Sequence, residues 1–132
     1  MPPAEIADDA EKIRDLVQRY CAEQRNSHLA PFVVHGPVMA GDEVYRLEAS
    51  QKPGCYVFYG RDGRYHYIGM SLVGVGSRVA AHLNPGTQAS PFWHNGKPPY
   101  SVDLIEVTEA WEAPSLEAYL YAKMAGTAQL KE

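Results

Sequence analysis

Residues 54 to 71 read GCYVFYGRDGRYHYIGMS, in which the runs CYVFY and RYHYI are joined by GRDG. Tyrosine, phenylalanine, valine and isoleucine favour strands, and Asp-Gly is a strong hairpin-turn signal. The stretch therefore reads as an antiparallel hairpin that the rest of the chain must cover. If Gly60 to Gly63 form the loop, Tyr56 sits across from Tyr67; a two-residue loop moves the partner but not the face. A bulge or an odd-length loop would separate the two. The expected faces are Tyr56, Phe58, Tyr65 and Tyr67 on one side and Cys55, Val57, Tyr59, His66 and Ile68 on the other. A cross-strand aromatic pair, worth roughly 0.2–1 kcal/mol, explains tyrosines side by side. A phenol also carries protons and binds phosphate, so at this point packing and chemistry both stand.

Elements on either side suit such a hairpin. Residues 4 to 23 place Ile6, Ala10, Ile13, Val17, Tyr20 and Cys21 on one stripe, predicting an amphipathic helix with an acidic first turn. Residues 26 to 42 are poor in charge and broken by proline and glycine, an irregular connector or short strands, and EVYRLEAS (43 to 50) alternates as a short strand. After the hairpin, a short helix runs from about Ser77 to Leu83 with Val75, Val79 and Leu83 on its buried side. Arg78 and His82, one turn apart, flank that side. SVDLIEV (101 to 107) is a strand, and EAPSLEAYLYAKM is a helix with Pro114 suited to its first position and Leu116, Leu120 and Met124 facing the core. Residues 1 to 50 are then a helix and connector packed on or extending a core at 51 to 132, within one domain overall.

Charge narrows the partners. The chain carries a net charge of −4, which argues against a generic nucleic-acid binder. Residues 51 to 100, however, carry a net +4 through Lys52, Arg61, Arg64, Arg78 and Lys97 against Asp62. That middle segment could face an anion, or the charges could simply be solvated. No run approaches a membrane span, and the acidic start MPPAEIADDAEK lacks a secretory character, so the default compartment is the cytoplasm. Cys21 and Cys55 offer neither a CxxC pair nor a zinc cluster. The GVG at 74 to 76 lacks the Lys-Ser/Thr of a phosphate loop.

The order Gly54-Cys55-Tyr56, Tyr67-Ile68-Gly69, Arg78 with His82 four further on, then Glu117 in a late helix resembles the GIY-YIG nuclease family. The likeness covers about residues 54 to 129. It implies an α/β (α+β) fold with a small three-stranded antiparallel sheet flanked by helices, here with an added N-terminal amphipathic helix. It also implies a metal-dependent endonuclease that hydrolyses phosphodiester bonds in DNA, with RNA not excluded. Glu117 would bind Mg²⁺ or Mn²⁺, Arg78 a phosphate oxygen, and Tyr67 would activate water with Tyr56 positioning phosphate or water. His82 would be a second proton carrier or phosphate contact. Arg64, His94 and Lys97 are candidate nucleic-acid contacts, and Trp93 and Trp111 can stack on bases or pack. Met70 stands where some members carry lysine, and Gln129 is the amide nearest to the position of a family asparagine. The alternatives are a catalytically degenerate module of the same fold, binding nucleic acid or protein, and an interaction protein whose tyrosines are only sheet core. The acidic balance leaves room for a homodimer or a protein partner held through residues 1 to 50.

Overall fold

The computed structural model describes residues 9–25, 29–83 and 98–125, apart from the side chains at 42, 81 and 82. Helix α1 (Asp9–Gln24) leads into β1 (Val33–Met39), a short α2 (Asp42–Arg46) and a 3-10 turn (Glu48–Gln51). The hairpin β2 (Gly54–Tyr59) and β3 (Tyr65–Ser71) follows, then α3 (Val75–Leu83), β4 (Ser101–Glu106) and α4 (Glu112–Met124). The sheet is antiparallel with four strands in the order β1-β4-β2-β3, not three. The added strand comes from the segment expected as a connector: VVHGPVM pairs with β4 around a register shift between His35 and Val38. EVYRLEAS is not a strand, because Leu47 breaks it into α2 and the 3-10 turn.

Helices cover both faces, so all six residues of β2 are buried. One core lies under α1 and α4 and joins Ile13, Val17, Cys55, Val57, Ile68, Ile105, Leu116 and Leu120. The other lies under α2 and α3 and joins Val44, Tyr56, Phe58, Val75, Val79, Val102 and Leu104. Ile13, Val17 and Tyr20 of the predicted stripe are buried, and the Tyr20 hydroxyl shares a 2.6 Å hydrogen bond with Ser115 of α4. At its far end Arg25 grips Glu112 at 2.7 Å, with both side chains all but inaccessible. Pro114 is the third residue of α4 rather than the first, still within the turn whose N–H groups lack helical acceptors. Among the described residues no helix is long and apolar enough to cross a membrane.

The hairpin register is the one a two-residue loop would give: Tyr56 lies opposite Gly69 and Phe58 opposite Tyr67. A shift after Phe58 then brings Tyr59 opposite Tyr65. This irregularity lies beyond Tyr56 and Tyr67, which stay on one face, and it turns Tyr65 over. Tyr65 is therefore no flank of the Tyr56 face; it is fully buried with Tyr59 on the α1/α4 side.

Candidate active site

The two glycines of the hairpin triplets are demanded by close approach. A Cβ at Gly54 would stand 2.1 Å from the Ile105 carbonyl oxygen of β4. A Cβ at Gly69 would stand 2.4 Å from the hydroxyl and ring of Tyr56. The bare strand at Gly69 thus gives the Tyr56 phenol its bed, and Phe58 and Tyr67 enclose it with ring centroids 5.4 Å and 6.1 Å away.

Four candidate residues are brought together where β3 forms one edge of the sheet. Tyr56 and Tyr67 belong to the α3 side, and Arg78 comes from the first turn of α3. The Arg78 guanidinium donates to the Tyr56 oxygen, and the Tyr56 and Tyr67 hydroxyls share a hydrogen bond. Glu117 comes from α4, which packs on the opposite face, yet its carboxyl acts on Tyr67 across the edge strand. It sits in the second turn of α4, not the first, so it is no dipole stabiliser at the helix end.

Burial dominates the electrostatics. It pushes the Tyr56 phenol up, with Tyr67 adding to the rise and Arg78 opposing it. Tyr67 is raised by burial and then by Glu117, against the lowering pull of Arg78 and of the Tyr56 hydrogen bond. The Glu117 carboxyl is raised by burial. Among the described residues no cation pairs with it, and no group of three or more His, Cys, Asp or Glu could hold an ion. An ion here would rest on one half-buried carboxylate, completed by water and substrate oxygens. Mg²⁺, which dehydrates reluctantly, suits such a donor set, and its charge is what the buried carboxylate lacks.

The other candidates divide. Arg64 lies in the hairpin turn, where its N–H bonds to Asp62 and its carbonyl accepts the Gly60 N–H; no described contact joins it to the four. His94, Lys97, Trp93, Gln129 and the His82 side chain lie outside the described residues. Trp111 is exposed at the start of α4. Met70, opposite Cys55, is packed against the α1/α4 core, so that position serves packing. Sequence reasoning passed over Tyr121. It is half-buried one turn beyond Glu117, packs against the α1/α4 core, and has its phenol raised by burial and then by Tyr67 and Glu117. Its signal was the four-residue spacing from Glu117.

Solved structures similar to this chain include the GIY-YIG N-terminal endonuclease domain of UvrC from Thermotoga maritima bound to magnesium, its catalytic divalent cation. That domain is 29% identical over 63% of this chain and 91% of its own, with a TM-score of 0.49. An asparagine-to-alanine mutant of the domain, bound to its catalytic divalent cation, matches at 29% identity over 63% of this chain and 90% of its own, with a TM-score of 0.49. A tyrosine-to-phenylalanine mutant matches at 28% identity over 63% of this chain and 90% of its own, with a TM-score of 0.48. No protein-family model and no curated protein matches the chain.

Proposed function

We propose that this chain is a metal-dependent endonuclease of the GIY-YIG type that hydrolyses phosphodiester bonds in DNA. The observation that carries the reading is the chain of hydrogen bonds linking Arg78, Tyr56 and Tyr67, with Glu117 beside its end. Packing alone would place two phenols on one face. It gives no reason to aim a guanidinium at one hydroxyl and a carboxylate at the other.

The roles follow from this chain. In this reading Tyr56, already accepting from Arg78, donates its own proton to Tyr67, so the proton of Tyr67 is left to point at water or a phosphate oxygen. As Tyr67 hands that proton on, the Tyr56 donation stabilises the phenolate, which is what a phenol of ordinary pKa near about 10 needs to act as a base. Arg78 is exposed and has donors beyond the one given to Tyr56, free to hold a phosphate oxygen. Glu117 would hold the Mg²⁺ or Mn²⁺ ion. The ion supplies charge stabilisation to the crowded phosphate and the departing 3′ oxygen.

Met70 favours a second reading, a module of this fold that binds DNA without cutting it, because that position sends no cation toward Tyr67. Cleavage of plasmid and branched DNA with Mg²⁺ or Mn²⁺, lost in Arg78→Ala, separates the two. Salt-dependent binding without cleavage supports the second reading. For a second copy or a protein partner, the surface we propose is the outer edge of β1, where Val33 and Met39 are exposed beside Leu29.

A further inference from the structure

The loop from β3 into α3 presents two aliphatic side chains to solvent beside the site. Leu72 is 51% exposed and Val73 82%, the most exposed large hydrophobic among the described residues. The backbone beneath them is pinned. The Ser71 hydroxyl oxygen accepts the N–H groups of Val73 and Gly74 at 3.1 Å and 3.0 Å, and the Lys52 carbonyl accepts that of Val75 at 3.1 Å. Gly76 lies so close to the 3-10 turn that a Cβ there would stand 2.8 Å from the Ser50 carbonyl oxygen. Gly74, Val75 and Gly76 are buried, so Leu72 and Val73 cannot turn inward without breaking these contacts. Single exposed apolar residues are ordinary, but an adjacent pair on a fixed loop makes a shaped apolar tip.

The tip adjoins the site on both sides in the chain. Tyr67, Gly69 and Ser71 alternate along one face of β3, so the tip follows the phenol by about 13 Å at the ordinary strand rise. On its other side α3 brings back Arg78, exposed and bonded to Tyr56. We propose that Leu72 and Val73 form a wedge that enters a base step of duplex DNA, a few base pairs from the phosphate held at Arg78. This rests on the nuclease reading for its substrate, and adds how the duplex is gripped and where it is cut. Charge favours DNA over a protein surface as the occupant. Residues 51 to 100 carry a net +4, and Arg78 offers its donors to phosphate directly beside the tip. An inserted aliphatic side chain unstacks the step and kinks the duplex, at least cost where the step is a flexible pyrimidine–purine one. The wedge therefore selects TA and CA/TG steps near the cut without reading any base edge.

The test is the double variant Leu72→Ser, Val73→Ser in the whole chain, with Met39→Ser as control. Met39 is as exposed as Leu72, at 51%, but lies on β1, the opposite edge of the sheet. The probe is duplex DNA carrying 2-aminopurine, whose fluorescence rises on unstacking, at a central TA step or inside an A-tract. Binding is followed with chelator and with Ca²⁺, and cutting of the same duplexes with Mn²⁺. The wild type is expected to raise the fluorescence at the TA step and not in the A-tract. The double variant should lose that signal and bind about tenfold more weakly, with the salt dependence unchanged because no charge is removed. Its Tm and the behaviour of Met39→Ser should match wild type. Wild-type binding without unstacking, or a double variant that binds and unstacks like wild type, would overturn the proposal. So would a double variant that changes only the oligomeric state. If the wild type unstacks the TA step but never cuts, the nuclease reading falls and the wedge stands. If it cuts without unstacking, the wedge alone falls, and if it binds no DNA in any condition both fall.

Discussion

The Tyr56 phenol lies directly on Gly69, whose missing side chain would otherwise stand 2.4 Å from the Tyr56 oxygen. The glycine of one triplet and the tyrosine of the other are thus a single packing unit, formed across the β2–β3 pair. Tyr56 is fully buried and has no room to retreat. Gly69→Ala is expected to cost about 1–3 kcal/mol as an overpacking substitution. Thermal unfolding should show a lowered Tm, with activity lost because Tyr56 is pushed from Tyr67. A variant with wild-type stability and rate would contradict the close approach.

The Arg78–Tyr56–Tyr67 chain predicts a pH dependence. Burial and Glu117 raise Tyr67, whereas Arg78 and the Tyr56 hydrogen bond lower it. A reaction that needs the Tyr67 phenolate gains rate as pH rises on the alkaline side. Tyr56→Phe removes a donation that favours the phenolate, so the rise should move to higher pH while the fold is kept. Tyr67→Phe should slow cleavage by about 10²–10⁴-fold at every pH. A pH–rate profile of kcat is the check, and a shift to lower pH in Tyr56→Phe would contradict the donation proposed from Tyr56 to Tyr67.

Glu117 predicts a divergence of stability from function. Burial raises its carboxyl above the ordinary range, so folding favours the protonated form. Its stabilising contribution is present below the unfolded pKa and is lost as pH rises through the folded one. At neutral pH without metal the ionised carboxylate is a burden. Glu117→Gln should therefore keep or raise the metal-free Tm at pH 7, while removing the Tm increase that Mn²⁺ gives the wild type. A metal-free variant that melts well below wild type would mean that Glu117 holds the fold instead.

The Arg25–Glu112 pair predicts the opposite pattern. The two side chains are 3% and 2% exposed and joined at 2.7 Å, with Arg25 also donating to the Ala30 carbonyl. Glu112→Ala leaves a buried guanidinium without its counter-charge, expected to cost about 3–5 kcal/mol. Chemical denaturation should show this, with kcat of the remaining folded fraction near that of wild type. A variant of unchanged stability would contradict the burial.

The hairpin, the last strand and the last helix were legible because they carry strong period and turn signals. EAPSLEAYLYAKM forms α4 over its whole length. The fourth strand was not legible. VVHGPVM is broken by Gly-Pro, and pairing with β4, a tertiary event, makes it a strand. EVYRLEAS failed in the other direction, since its alternation suits a strand and its contacts with β1 and α3 made short helices. Tyr65 was misplaced for a local reason, the register shift after Phe58, which no residue pattern announced. At the site, Tyr56, Tyr67, Arg78 and Glu117 could be named from their order, but their meeting across the edge of β3 required coordinates.

The most direct measurement is the cleavage of supercoiled, linear single-stranded and branched DNA by the wild type, Arg78→Ala and Glu117→Gln, with Mn²⁺, with Mg²⁺ and with a chelator. The account predicts metal-dependent cutting by the wild type, none with chelator, and a loss of at least about 10²-fold in both variants, which remain folded. Intact DNA with every substrate and both metals, or cutting that survives in folded Arg78→Ala and Glu117→Gln, would contradict it.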